Sequence, residues 1–131
     1  MSRKLARQEL FKLVFEICFQ DHSEMLFDEF LENETITQEN KDFVKNIYSG
    51  IMEEKDNLIN EIAKYVKGYT IDRLFKVDLA ILLIAFYELS HLDTDAKIVV
   101  NEAVELAKKY STPKSGGFIN GVLASYLKDK N

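Results

Sequence analysis

The sequence predicts an all-α protein with about seven helices in two packed bundles. Apolar residues recur at intervals of three and four through most of the chain, the period of a helix with one buried face. The 131 residues include only five glycines and one proline, so helix breakers are few. Nine consecutive apolar residues run from Leu79 to Tyr87. A helix that is apolar on every side must be enclosed by other helices, so this run predicts a central helix.

The central helix occupies VDLAILLIAFYEL, residues 77–89. Its apolar run is too short to cross a membrane, which needs about 20 apolar residues. It is predicted to begin near Ile71–Arg73, with Thr70 or Asp72 as its cap, and to reach about His91. Glu88 is expected to make a structural hydrogen bond, because a buried carboxylate needs a partner.

The first helix is predicted over residues 3–20 and has a wide apolar arc. Phe11 and Phe15, one turn apart, widen the stripe beyond what one packing neighbour requires. Two interpretations stay open. The helix is wedged between two others in the core, or the edge formed by Phe11 and Phe15 partly faces a protein partner.

The remaining helices are placed by spacing and by caps. An acidic amphipathic helix is predicted within residues 21–34, and Thr37 is expected to cap a helix over 38–54. A further helix over 58–66 is expected to stop at Gly68. After the central helix, Asp93 or Thr94 is expected to cap a helix that ends at Tyr110, and a final helix follows 114–117. One domain, 1–131, is predicted, with subdomains of roughly 1–68 and 69–131.

Charge is unevenly distributed along the chain. The net charge is −5, but residues 1–20 and 64–131 each carry +2, whereas residues 21–63 carry −9. An acidic protein of this kind can bind nucleic acid only through a local basic patch. The single cysteine, Cys18, excludes an internal disulfide and favours a reducing compartment. No signal core or membrane-length segment is present, which predicts a cytoplasmic protein.

No catalytic or metal-binding motif is present. His22 and His91 lack partners at metal-ligand spacing, and no glycine-rich phosphate loop occurs. Cys18 lies within an apolar arc and is expected to be a packed thiol. The sequence therefore predicts a protein that is not an enzyme and has no cofactor.

Two features are candidates for RNA contact. The first is the basic cluster of Arg3, Lys4 and Arg7, for which an ordinary solvated terminus is the alternative. The second is the segment from Lys114 to Phe118, where a helix N-terminus, a lysine, a hydroxyl and two glycines suit a phosphate. The ring of Phe118 would be available to stack on an unpaired base. A plain interhelical turn with Phe118 in the core is the alternative here.

Four segments in order resemble the NusB family of bacterial transcription antitermination factors along the whole chain: LARQELFKLVFE, VDLAILLIAFYEL, IVVNEAVELAKKY and SGGFINGVL. The resemblance implies two helical bundles and binding of the boxA element of nascent ribosomal RNA. It also implies a complex with NusE, a small-subunit ribosomal protein, in an antitermination assembly on RNA polymerase.

The resemblance assigns roles to eight residues. RNA contact falls on Arg3, Lys4, Arg7, Lys114, Ser115 and Phe118, and NusE contact falls on Phe15 and Asp78. Asp78 is expected where the central helix reaches the surface.

The sequence departs from the family pattern in the central helix. Leu79 and Leu83 stand where many members of the family carry arginine, which leaves open a buried or self-associating surface and a possible homodimer. The same helical domain also occurs ahead of ribosomal RNA cytosine methyltransferases, but a chain ending at Asn131 is expected to have no room for that enzyme. The competing interpretation is a protein-binding helical adaptor without specific RNA recognition.

Overall fold

The structure is a computed structural model that describes residues 2–19, 24–68 and 70–130. These residues form six α-helices and one turn of 3-10 helix at Ile71–Arg73. The α-helices are α1 (Arg3–Ile17), α2 (Met25–Glu32), α3 (Gln38–Ala63), α4 (Lys76–His91), α5 (Ala96–Tyr110) and α6 (Ser115–Lys130). The all-α prediction is confirmed. The predicted end of the first helix at residue 20 and start of the second at 21 lie outside the described residues.

Helix α4 is the axis of the molecule. It packs against α1 and α3, which also pack on each other, and against α5 and α6, which do the same, so two groups of helices share it. Every residue from Asp78 to Glu88 is buried, as the unbroken apolar run predicts. Leu79 and Leu83 are among them. They therefore add to the core, and of the two alternatives left open the buried one is confirmed.

The described residues form six α-helices instead of the predicted seven because two predicted helices are continuous. Residues 38–63 form α3, which bends at Glu54, where φ is −111° and ψ is 16°. The side chains at the bend fasten two other helices. Glu54 Oε2 lies 2.9 Å from His91 Nε2 at the end of α4, and Lys55 Nζ donates to the Ile17 carbonyl at 2.8 Å. The bend in α3 is thus bonded to the end of α4 and to the end of α1.

Helix boundaries agree with the predicted caps in one case out of three. Thr37 caps α3, because its hydroxyl accepts from the Asn40 amide. Helix α4 begins only at Lys76, since the residues around Asp72 form the separate 3-10 turn. Helix α5 is capped by Asp95, not by Asp93 or Thr94, through a 2.8 Å bond from the Lys97 amide.

Two glycine-containing junctions also differ from the prediction. Gly68, with φ of +92°, lies five residues beyond the end of α3 at Ala63, so it shapes the loop and does not end the helix. Helix α6 begins at Ser115, so Gly116 and Gly117 belong to its first turn.

A buried ion pair joins α1 to α4. The Arg7 guanidinium donates through Nη2 to Glu88 Oε1 at 2.8 Å and through Nε to Glu88 Oε2 at 3.2 Å. Arg7 is 5% exposed and Glu88 is 1% exposed. The prediction that Glu88 needs a structural partner is confirmed. The expected exposure of Arg7 is wrong, because its charge is used inside the protein.

Removing one member of this pair should be severe. Glu88→Ala leaves a guanidinium buried without its partner, which is expected to lower the free energy of unfolding by about 3–5 kcal/mol. Urea denaturation measures this change. Glu105→Ala is the control, because it removes an exposed ion pair with Lys108 and should cost under about 1 kcal/mol. The double change Arg7→Met with Glu88→Leu should recover most of the loss, and equal effects of both alanine variants would contradict this account.

Gly50 allows α3 and α4 to approach closely. A Cβ at Gly50 would overlap the ring of Tyr87, whereas a Cβ at Gly121 in α6 would meet no atom within 4 Å. Gly50→Ala is therefore expected to destabilise the protein by about 1–3 kcal/mol. Gly121→Ala should stabilise it by up to about 1 kcal/mol, because alanine loses less backbone entropy in a helix. The two melting temperatures should shift in opposite directions, and a shift in the same direction would refute the packing argument.

Candidate nucleic-acid interface

The basic residues at the start of α1 lie on two different faces of the helix. Residues four apart share a helical face, so Arg3 and Arg7 lie together. Arg3 Nε donates to Asn40 Oδ1 at 3.1 Å, and its guanidinium carbon lies 4.0 Å from the centre of the Phe43 ring. Arg3 Nη2 also lies 3.5 Å from Glu39 Oε1. Arg3 is therefore partly exposed, but it is held against the acidic start of α3.

Lys4 lies on the neighbouring face, which points toward α5. Its side chain is exposed and makes no hydrogen bond or ion pair within the part of the chain that the structure describes. With Gln8 and Lys109 it borders a cleft of about 260 Å³. Lys109 Nζ donates to Gln8 Oε1 at 2.9 Å. Glu102 and Glu105 line the same cleft, so the basic surface here is interrupted by two carboxylates.

The end of α5 connects this face to the start of α6. Phe11 stacks on Tyr110, with ring centroids 4.7 Å apart and planes 21° apart. The next residues carry three hydroxyls that form a compact network: Thr112 Oγ1 lies 2.8 Å from Ser115 Oγ, and Ser111 Oγ also lies 2.8 Å from it. The two predicted RNA features are thus linked through one turn.

Asp78 accepts hydrogen bonds from this network. Ser111 Oγ donates to Asp78 Oδ1 at 2.6 Å, and Ser115 Oγ donates to Asp78 Oδ2 at 3.1 Å. Asp78 is 4% exposed and Ser115 is 3% exposed. Their expected surface positions are therefore wrong, because the carboxylate and the hydroxyls satisfy one another where α4, α5 and α6 meet.

Two residues of the predicted segment do reach the surface. Lys114 is exposed and, among the described residues, has no hydrogen bond or ion pair. Phe118 is half-buried and packs against the core with part of its ring. Phe75, which the sequence analysis did not single out, is 60% exposed and lines a second cleft together with Lys114 and Phe118. The extended backbone at 74–75 sends Leu74 inward and Phe75 outward, and helical spacing in the sequence gave no signal of this.

The aromatic edge of α1 divides between core and surface. Phe11 is buried between helices, as one of the two open interpretations requires. Phe15 is half-buried and packs edge-on against Phe19, with centroids 5.1 Å apart, and Phe19 is 45% exposed. The exposed part of this edge is therefore Phe15 and Phe19, one turn later than predicted.

A longer groove runs between α5 and α6. It has a volume of about 660 Å³ and an apolar floor that includes Val100, Val104 and Leu127, with Lys97 and Lys108 also among its lining residues. This groove is larger than the cleft beside Phe118.

The potential metal ligands in the described part of the chain do not gather in groups of three or more. No described helix is long and apolar enough to cross a membrane. Burial raises the pKa of the Cys18 thiol to about 11, so the thiol is protonated at neutral pH. The prediction of a packed thiol is confirmed.

The sequence is similar to known proteins along nearly its whole length. The model of the NusB family matches residues 3–128. The transcription antitermination protein NusB of Acetivibrio thermocellus is 36% identical, over 99% of this chain and 91% of the relative. The NusB of Finegoldia magna is 37% identical over 99% of this chain and 96% of that relative.

Solved structures agree with the sequence comparison. The structure of T. maritima NusB superposes with a TM-score of 0.88 at 29% identity, over 98% of this chain and 92% of the other. A crystal structure of the antitermination factors NusB and NusE in complex with dsRNA superposes with a TM-score of 0.85 at 28% identity. The match covers 97% of this chain and 96% of the other. Matched along nearly its whole length in both sequence and fold, the chain belongs to the NusB family.

Proposed function

We propose that this protein is a non-catalytic transcription antitermination factor that acts in the cytoplasm. It binds the boxA element of nascent ribosomal RNA together with NusE and joins an antitermination assembly on RNA polymerase. Membership of the NusB family supports this function, as does the likeness to a NusB that was crystallised with NusE and dsRNA.

The observation that carries the proposal is the connection between two exposed lysines. Lys4 and Lys114 have no partner within the described residues, although they lie on helices that are far apart in sequence. The end of α5 links their helices through the Lys109–Gln8 bond and the Phe11–Tyr110 stack. RNA that crosses this surface can release counterions at both ends, and its affinity will therefore depend on salt.

The burial of Arg7 and Ser115 supports different roles for the predicted RNA residues. Lys4, Lys114 and Phe118 are proposed as direct contacts, with Arg3 as a weaker one because Glu39 already offsets part of its charge. Arg7 is proposed to act indirectly by fixing α1 against α4. Ser115 is proposed to act indirectly by fixing the start of α6. Both side chains are buried and donate their hydrogens inside the protein, Arg7 to Glu88 and Ser115 to Asp78.

The proposed contact with NusE is the aromatic edge at the end of α1, formed by Phe15 within the helix and Phe19 two residues beyond it. Exposed aromatic residues often supply the central contacts of protein interfaces. Asp78 is proposed to hold the turn between α5 and α6 and not to touch NusE, because its carboxylate lies inside the cleft that Phe75 and Phe118 border and not on an open face.

A charge-reversal experiment tests the RNA surface. Lys114→Glu is expected to weaken binding of labelled boxA RNA by about tenfold, the equivalent of losing roughly 1.5 kcal/mol from a charge-assisted contact. The slope of affinity against salt should also fall by about 0.7 per lost phosphate contact. Fluorescence anisotropy at two salt concentrations measures both.

Lys128→Glu is the matched control for this test. It makes the same charge change near the far end of α6, whose first residue follows Lys114, and lies roughly 20 Å from Lys114 at 1.5 Å per residue. The control should alter boxA affinity by less than about twofold if the contact is local, because exposed charges more than about 10 Å apart are largely screened. Equal losses in both variants would show that net charge alone governs binding. Equal wild-type affinity for boxA and a scrambled RNA would refute sequence-specific recognition.

A second substitution tests the NusE surface. Phe19→Asp places a charge at the exposed end of the aromatic edge and is expected to weaken NusE binding by about tenfold or more. The affinity of the free protein for boxA RNA should not change. Ile98→Asp, at a 50% exposed residue of α5, is the control. Isothermal titration of each variant with purified NusE measures the two affinities. A loss confined to Ile98→Asp would assign NusE to the α5 surface instead of the aromatic edge.

A further inference from the structure

The first helical turns of α4 and α6 enclose a cleft of about 470 Å³. Pockets for small ligands typically have volumes of about 300–1,000 Å³, so the cleft is large enough for a single base. The residues that define its chemistry are Phe75, Asp78, Thr112, Lys114, Ser115 and Phe118. Two aromatic rings, one cation and a polar floor therefore border one concave site.

The rings suit a flat, unsaturated ligand. Phe75 is the residue that precedes α4, and its ring is 60% exposed, whereas its neighbour Leu74 is buried. Phe75 is thus free of any role in the core. Phe118 is half-buried and borders the same space from α6. Aromatic side chains of this kind bind unpaired bases by stacking.

The floor offers hydrogen-bond acceptors. Each hydroxyl has one hydrogen to give. Ser111 shares its hydrogen between Asp78 Oδ1 and Ser115 Oγ, and Ser115 gives its own to Asp78 Oδ2. Thr112 is then the donor in its bond with Ser115. A carboxylate has about four acceptor positions, so those of Asp78 are only half used. A ligand that reaches the floor must therefore bring donors.

Resting on the proposed function, we infer that this cleft binds one unpaired RNA base that carries an exocyclic amino group. The base stacks on Phe75 and Phe118 and directs its amino group to Asp78, while its phosphate is held by Lys114. Adenine, cytosine and guanine carry such an amino group and uracil does not. Phe75 and Asp78 are then specificity-determining residues for the RNA.

The charges in the cleft favour RNA over a protein segment as the occupant. Lys114 supplies an unpaired ammonium at the rim, which matches a phosphate. Asp78 supplies acceptors at the floor, which match an amino group. A nucleotide presents both groups at once, with a flat ring between them.

The test combines one protein variant with single changes in the RNA. Phe75→Ala should weaken boxA binding at least about fivefold, the low end of base–aromatic stacking. A series of RNAs with one abasic nucleotide at each position should contain one position where the loss is similar. At that position, Phe75→Ala should cause no further loss, because the partners of a single contact are not additive.

The amino group is tested at the same position. Replacing adenine by purine, cytosine by pyrimidin-2-one or guanine by inosine removes the amino group alone and should weaken binding several-fold. Leu26→Ala, at an exposed apolar residue of α2, is the control and should leave RNA affinity unchanged. Circular dichroism should show the same melting temperature for wild type and Phe75→Ala.

The outcomes separate this inference from the proposed function. If wild type prefers boxA to a scrambled RNA but Phe75→Ala binds boxA as tightly as wild type, the cleft is not a base site. The same conclusion holds if no abasic position is coupled to Phe75, or if Phe75→Ala weakens binding of NusE alone. If wild type shows no preference for boxA, the proposed function itself fails.

Discussion

Burial of α4 on all sides is the constraint on which the other helices depend. A helix with nine consecutive apolar residues has no face to offer water, so neighbours must surround it. Each end of the buried stretch then carries a carboxylate that water cannot solvate. Glu88 is satisfied by Arg7 of α1, and Asp78 is satisfied by the hydroxyls of the turn between α5 and α6. These two requirements fix one helix from each bundle against the axis.

The candidate interface follows from the same arrangement. Because Asp78 draws Ser111 and Ser115 toward α4, the first turn of α6 lies beside the residue that precedes α4. That places Lys114 and Phe118 next to Phe75 around one cleft. Asp78 is therefore central to the site without being on the surface, and a substitution there would disturb both the fold and the cleft.

The sequence was sufficient for the fold class and for the central helix, because unbroken apolar runs and regular spacing depend only on local order. It was less informative about which cations are exposed. Arg3, Lys4 and Arg7 form one cluster in sequence, but helical geometry separates Lys4 from the two arginines. The spacing of four between Arg3 and Arg7 was visible in advance. The acceptor for Arg7, 81 residues later, was not, because only tertiary packing brings Glu88 to it.

Phe75 shows the same limit from the other direction. In the sequence it sits among LFKVD and resembles one more apolar residue of the central helix, so helical spacing gives no reason to expose it. In the structure α4 begins at Lys76, the residue after Phe75, and the extended backbone at Phe75 turns its ring outward. A shift of a few residues in a helix boundary, the least certain part of a prediction from sequence, thus decides whether a ring is core or surface.

The buried charge of Asp78 also determines how RNA can enter the cleft. Two like charges 4 Å apart repel by roughly 1 kcal/mol in water and by about 4 kcal/mol at the effective dielectric near a protein surface. A phosphate directly above Asp78 would meet this repulsion, although the first turns of α4 and α6 both offer the positive ends of helix dipoles. A phosphate beside Lys114 avoids it. The base is then the part of the nucleotide that faces Asp78. The carboxylate, which would repel a phosphate, accepts a hydrogen bond from the amino group of the base.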